Sequence, residues 1–193
     1  MIKKQIITIA GKPGSGKSTA AKGVAKKLNF EHFSSGDLFR EITHKHGMDV
    51  LQANLNAEKN VDIDHLVDEK LRELGSSKDS LVIDSRMAWH WMPYSFRVFL
   101  DLDVLVAAKR IVQEKNVERA SGEDIPDDLQ EYAKDLEERL DSETRRYKKT
   151  YNVNPYDKSN YDLIVDTNTN TIPKVIDMIV SEYEKWWKQN YVN

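Results

Sequence analysis

Cysteine is absent from the 193 residues. That removes disulfides and cysteine metal sites and fits a reducing compartment. No stretch approaches the ~20 consecutive apolar residues of a membrane span. The opening run, Met1-Ile2-Lys3-Lys4-Gln5-Ile6-Ile7, is too short in apolar residues for a signal peptide. A basic excess is also missing. Lys and Arg total 29 against 32 Asp and Glu, a formal charge of −3, so the footprint of a protein that grips a nucleic-acid polymer is lacking. A local basic pocket for a small anion remains compatible with that balance. The five histidines are scattered, and His44 and His46, two apart, do not share a helical face, so all read as ordinary polar residues. There is no internal repeat, linker or low-complexity tract. These absences lead us to expect a cytoplasmic monomer with a single domain over residues 1–193 and neither membrane nor nucleic acid as partner.

What is present is a water-soluble composition, 39% hydrophobic and 32% charged, long enough for one sizeable core. Ile6 to Ile9 is a short β-branched run that reads as a buried strand, and Ala20, Ala21, Val24, Ala25 and Leu28 follow at helical spacing. Phe30 to Phe33 suggests a second strand, and Asp37 to His46 a helix ended by Gly47. Ile63, Leu66, Val67, Leu71 and Leu74 form an amphipathic stripe that Gly75 is expected to stop. Leu81 to Ile83, ending at Asp84, and Phe96 to Leu100 read as strands three and four. Val104 to Val112 reads as a helix capped by Asp103. Gln113 to Asp128 is polar, carries Gly122 and Pro126, and reads as a mobile loop or short lid. Leu129 to Tyr151 has helical spacing, Tyr161 to Val165 reads as the last strand, and Ile172 to Trp187 as the closing helix. Strands alternating with helices predict an α/β fold, with about five parallel strands and helices on both faces.

One motif is specific. Gly11-Lys12-Pro13-Gly14-Ser15-Gly16-Lys17-Ser18 fits G-x-x-x-x-G-K-[ST] and lies between a predicted strand and a predicted helix. Glycines let the backbone close on phosphates, the inward N–H groups make an anion nest, and the helix adds its positive end. Lys17 is placed for the β- and γ-phosphates and the Ser18 hydroxyl for Mg²⁺. Such a loop binds a nucleoside triphosphate without choosing the reaction. The base-reading pattern N-K-x-D is absent, which argues against a GTPase.

Ser34-Ser35-Gly36-Asp37-Leu38-Phe39-Arg40 follows the second strand, and could be no more than a helix cap and a solvated arginine. Asp84 ends a buried strand at the edge where α/β sheets bind ligands. A carboxylate there can position Mg²⁺ through water or cap a helix. Arg139 and Arg146 are seven apart and share a helical face, for phosphate or for pairing with Glu143 and nearby acids. Arginine suits phosphate because its planar fork donates two bonds. Trp89-His90-Trp91-Met92 could stack on a base or, more simply, join the core, and Trp186 and Trp187 read as packing residues.

With the phosphate loop, Ser34–Arg40, Asp84-Ser85-Arg86, Arg139–Tyr147 and Tyr161–Thr167 in this order, the chain resembles the nucleoside monophosphate kinases, in particular the small archaeal-type cytidylate kinases. The resemblance runs from the first strand to the last helix. It implies a P-loop NTPase fold with a small lid at about 113–128 and an acceptor region at about 34–75. It further implies ATP and Mg²⁺ as cofactors and a nucleoside monophosphate, CMP or dCMP, as acceptor. Gly11 to Ser18 with Thr19 and Arg110 would hold ATP. Ser35, Arg40 and Arg86 would hold the acceptor, and Ser18, Asp37 and Asp84 would surround the metal. Lys17, Arg86, Arg139 and Arg146 would act on the transferring group, and the segment after Asp166-Thr167 would pass near the adenine. Two positions depart from the pattern. Ser85 stands where a glycine commonly follows the acid. Glu114 stands where a second lid arginine commonly follows Arg110, so that either Arg119 substitutes from within the lid or the lid works differently. Two other readings stay open, a kinase for another small metabolite and a nucleotide-dependent regulatory protein without phosphotransfer.

Overall fold

The computed structural model describes residues 4–45, 62–113 and 128–191. The expected lid, with Glu114 and Arg119, and the helix end at Gly47 lie outside the described residues. Five strands form one parallel sheet: β1 (Ile6–Gly11), β2 (Glu31–Ser34), β3 (Leu81–Asp84), β4 (Phe96–Asp101) and β5 (Leu163–Asp166), in the spatial order β2-β3-β1-β4-β5. The helices are α1 (Lys17–Leu28), α2 (Ser35–Lys45), α3 (Asp62–Ser77), α4 (Ala88–Trp91), α5 (Val104–Gln113), α6 (Leu129–Tyr151) and α7 (Ile172–Tyr191).

Alternation along the strands puts a core on each face of the sheet. Ile7 and Ile9 of β1, with Val82, Val98, Leu100 and Val165, pack against Ala20, Ala21 and Val24 of α1 and Val175 and Ile179 of α7. Trp186 and Trp187 rest on this core, as their sequence context suggests. Ile6 and Ile83 turn the other way and meet Leu71 and Leu74 of α3, Ala88 and Met92. A separate core joins α5 to α6 through Leu102, Ala107, Ala108, Tyr132, Ala133 and Leu136. Among the described residues no helix is long and apolar enough to cross a membrane.

The boundaries follow local chemistry. Asn29 and Asn152, both left-handed at φ 56° and 58°, end α1 and α6 with their N–H groups turned back onto helix carbonyls. Asp103 caps α5, its Oδ1 accepting from the Leu105 and Val106 N–H groups at 2.9 and 3.4 Å, as expected. Gly75 corrects the reading: it does not stop α3, which runs on to Ser77. This glycine is a site of close approach, where a Cβ would lie 2.8 Å from Met92 Cγ and 3.0 Å from the Tyr94 hydroxyl. The second strand begins after Phe30, and α2 starts at Ser35, two residues ahead of Asp37. Helix α4 is a short turn that the aromatic run 89–91 had masked, because bulky side chains at consecutive positions have no helical period.

Candidate active site

All five strands point their carboxyl ends to one edge, and the Gly11–Ser18 loop leaves the central strand there. Sterics require glycine at two of its positions. A Cβ on Gly11 would lie 2.5 Å from the Leu100 carbonyl oxygen, and Gly16, at φ 78°, caps α1 in the left-handed region. Ser15 is fully buried, and its hydroxyl has no hydrogen-bond partner within the protein. Lys17 folds back over the loop and donates from Nζ to the Lys12 carbonyl at 2.8 Å. Burial first, and then the Arg86 charge, pull the Lys17 ammonium down to about 7, against the opposing pull of Asp84 and Glu143. A buried lysine whose charge is disfavoured therefore sits at the loop. That arrangement is unfavourable for the lysine alone and suited to a polyanion.

Above this loop lies a cavity of about 410 Å³. It brings together Lys17, Ser18 and Thr19 from the loop and α1, Ser35 and Arg40 from α2, Asp84 and Arg86 from the end of β3, and Arg139 and Arg146 from α6. Pro13, Gly14 and Gly16 also line it. Five expected residues do not. Gly11 and Ser15 lie beneath the loop's surface, both buried. Lys12 turns to β4, donating to the Leu102 carbonyl at 2.9 Å and pairing with Asp101 at 3.4 Å. Asp37 faces outward and takes the Arg40 guanidinium as an exposed ion pair. Arg110 donates to the Thr167 carbonyl at 2.6 Å, so it meets the segment expected to pass near the adenine.

Asp84 is the buried carboxylate of this edge. Its oxygens accept from the Ser34 hydroxyl at 3.0 Å and face His32 Nε2 at 3.1 Å. Burial disfavours its charge, but these partners and Lys17 outweigh that and hold its carboxyl below the ordinary range. Ser34 also caps α2, accepting from the Asp37 N–H at 3.3 Å. The helix-cap reading of the serine pair is thus realised, and both serines line the cavity. His32 corrects the reading of the histidines: it is a partner of the site carboxylate. Nothing in the spacing around His32 signals this; the parallel pairing of β2 with β3 creates it.

On α6 the arginines are gathered by an acid. Glu143 accepts from Arg139 Nε at 3.3 Å, lies 2.9 Å from Arg86 Nε and accepts from the Tyr156 hydroxyl. Burial opposes its charge, and the arginines overcome this, so its carboxyl stays low. Arg146 sits 3.7 Å from Asp64 of α3 and 5.1 Å from the Tyr147 ring centre. Next to it, Asp68 accepts from Trp91 Nε1 at 2.9 Å and from the Tyr151 hydroxyl. Trp89 is buried against Phe99 and Tyr161, while Arg72 lies 3.9 Å over the Trp91 ring. The tryptophans of α4 are therefore packing and bracing groups, as in the simpler reading.

The donor set fits a magnesium nucleotide. A nest of N–H groups with an unpaired buried hydroxyl suits phosphate oxygens, and Ser18 and Asp84 offer oxygen donors of the kind a hard cation takes. Among the described residues no three His, Asp or Glu side chains group as a metal cage. Magnesium in phosphoryl-transfer sites is in any case held by few protein ligands, water and phosphate.

Comparison with known proteins decides the kinship. The family described as an AAA domain matches residues 10–132. A cytidylate kinase of Natronomonas pharaonis is 37% identical over 186 residues, covering 92% of this chain and 90% of that protein. One from Haloarcula marismortui is 39% identical over 167 residues, covering 84% and 80%. The chain belongs to the cytidylate kinase family. It is a P-loop kinase, a phosphotransferase, and its fold agrees. Shikimate kinase from Bacteroides thetaiotaomicron superposes with a TM-score of 0.64 over 95% of this kinase and 98% of that chain, at 16% identity. At that identity the likeness is one of fold alone.

Proposed function

We propose that this kinase transfers the γ-phosphoryl group of ATP to a nucleoside monophosphate, with CMP or dCMP as the acceptor. The observation that carries the reading is one cavity among the described residues. It joins a triphosphate loop to a second cluster of cations, so donor and acceptor phosphates would meet in one place.

Lys17 and the loop N–H groups would bind the β- and γ-phosphates. Ser18 and Asp84 would hold Mg²⁺, Ser18 directly and Asp84 through water, and the ion when bound neutralises charge on the phosphate oxygens. Arg40 and Arg86, with Ser35, would hold the acceptor phosphate. Arg139 and Arg146 would stabilise the charge of the group in flight. Arg110 and the Thr167 segment would flank the adenine. The lid, with Arg119, would exclude water that otherwise hydrolyses ATP.

Four arginines, Arg40, Arg86, Arg139 and Arg146, line the cavity together with Lys17, a density of cations suited to an acceptor that itself carries a phosphate. This supports a nucleotide as the acceptor. The similarity to cytidylate kinases supports the cytosine base.

The test is turnover with each common nucleoside monophosphate and, separately, shikimate and gluconate, under ATP and Mg²⁺. CMP and dCMP should give the highest kcat/KM. Preferred phosphorylation of a hydroxyl acceptor would overturn the reading, and ATP binding without any acceptor-stimulated ADP release would point to a regulatory protein.

A further inference from the structure

Glu143 is 8% exposed and lines the active-site cavity. An acid is a costly residue to place beside bound phosphates, because like charges repel strongly away from water. Its partners explain its presence. Arg139 is one helical turn before it on α6, Arg86 comes from the segment after β3, and Tyr156 comes from the segment after α6. One carboxylate therefore ties three separate parts of the chain together.

The arrangement also answers a charge problem. Lys17, Arg86 and Arg139 all converge on this part of the cavity. The charged groups acting on Lys17 are Asp84 of β3, Arg86 beyond it, and Glu143 and Arg139 of α6. Without Glu143 only Asp84 in that set would oppose three cations. Arg86 Nε lies 2.9 Å from Glu143 yet has no aligned hydrogen-bond acceptor. Charge therefore holds the guanidinium at this point, and Tyr156 accepts a hydrogen bond from it.

We propose that Glu143 is a positioning residue that holds Arg86 and Arg139 together on the phosphate side of the cavity, so that both guanidiniums meet the transferring group already oriented. The inference rests on the phosphotransfer reading above. It assigns Glu143 no contact with substrate. Its negative charge acts through the arginines, and Tyr156 anchors it by donating a hydrogen bond. The carboxylate lowers the cost of keeping two guanidiniums in a part-buried place, and preorganisation of this kind acts on turnover more than on ground-state binding.

The experiment compares Glu143→Gln, Glu143→Asp and Tyr156→Phe with the wild type in kcat, KM for ATP, thermal midpoint and ATP hydrolysis without acceptor. It adds the affinity for a non-hydrolysable ATP analogue, measured without acceptor. Glu143→Gln should lower kcat about ten- to a hundred-fold, the scale of lost charged hydrogen bonds, with KM for ATP and analogue affinity nearly unchanged. Glu143→Asp, which keeps the charge, should recover part of that loss. A mere packing role would give no such recovery. Wild-type kcat in Glu143→Gln overturns the proposal. So does an equal loss in the Gln and Asp variants. If the Gln variant does not fold, wild-type kcat in both Glu143→Asp and Tyr156→Phe overturns it. If the wild type phosphorylates no nucleoside monophosphate, the functional reading fails by itself, and the order of the variants in acceptor-free ATP hydrolysis still decides whether Glu143 acts on the arginines.

Discussion

The two walls of the cavity are built by different means. The phosphate wall is mostly backbone: a loop of glycines and N–H groups at the end of β1, carrying one lysine. The opposite wall is mostly side chains from α3 and α6, where Asp64, Asp68, Glu143, Arg139 and Arg146 pair with one another and with tyrosines. A backbone wall is fixed by local conformation. A side-chain wall exists only after the two helices have packed, and each charge in it already has a resting partner. The backbone of the first wall is therefore set by the loop itself, with Lys17 resting on the Lys12 carbonyl, whereas the shape of the second depends on ion pairs between elements.

This contrast predicts the largest effect at the single side chain on which the backbone wall depends. Lys17→Ala should abolish measurable phosphotransfer, a loss greater than about 10³ in kcat/KM, because a charge lost opposite the transferring group has no local substitute. Circular dichroism should show the fold retained, since Lys17 makes one hydrogen bond, to the Lys12 carbonyl. Near-wild-type turnover in a folded variant would break the comparison at its strong side.

On the other wall Arg146→Ala should lower kcat by about 10³, the lower end of the scale for an arginine that meets charge in the transition state. Substrate KM values should change far less. Arg139 and Arg86 stand close enough, through Glu143, to share the task. Steady-state kinetics with saturating ATP and acceptor decides the point. A rise in KM with unchanged kcat would make Arg146 a binding residue, holding ground state and transition state alike.

How much could be read beforehand follows the same division. The phosphate loop was legible because its function is written in consecutive residues, and the five strands because parallel buried strands are continuous apolar runs such as Leu81-Val82-Ile83. Arg139 and Arg146 could be paired on one face from their spacing alone. His32 could not be found, because its meeting with Asp84 is a matter of strand order. Nor could the link from Arg146 to Asp64, which joins helices 82 positions apart in the chain. Asp37 shows the converse. Its motif was legible, yet its carboxylate lies outside the cavity, because in the first turn of α2 it pairs with Arg40 one turn on.

That pair frames a smaller prediction. Arg40→Ala should raise the acceptor KM about ten- to a hundred-fold, as expected for a lost charged hydrogen bond of about 1.5–3 kcal/mol. ATP-analogue affinity without acceptor should barely move. Steady-state kinetics gives the first quantity and equilibrium binding of the analogue the second. Because Arg40 is exposed and paired in the free protein, part of its binding energy is used to leave Asp37, and the lower end of the range is the expected one. Loss of ATP affinity with intact acceptor binding would reverse the assignment of the two sites.

The smallest effect is expected at Gly75, in the helix that carries Asp64 and Asp68. Alanine there favours the helix by about 1 kcal/mol. Its Cβ would, however, enter space held by Met92 Cγ at 2.8 Å and the Tyr94 hydroxyl at 3.0 Å. Met92 is fully buried, so it cannot swing into solvent. The Tyr94 hydroxyl is tied to the Gly75 carbonyl at 2.7 Å, and Lys4 Nζ donates to the same oxygen at 2.8 Å. Overpacking of this kind costs about 1–3 kcal/mol, so the net destabilisation should be about 1 kcal/mol. For a chain of this size that is a fall of roughly 2–4 °C in Tm. The clash lies at the far end of α3 from Asp64, and kcat should stay within about twofold. Differential scanning calorimetry alongside turnover separates the two outcomes. A higher Tm would mean that Met92 yields and that helix propensity wins. A large fall in kcat at a nearly unchanged Tm would mean that the side-chain wall transmits small shifts of α3 to Arg146, and that it is more tightly coupled than its scattered ion pairs suggest.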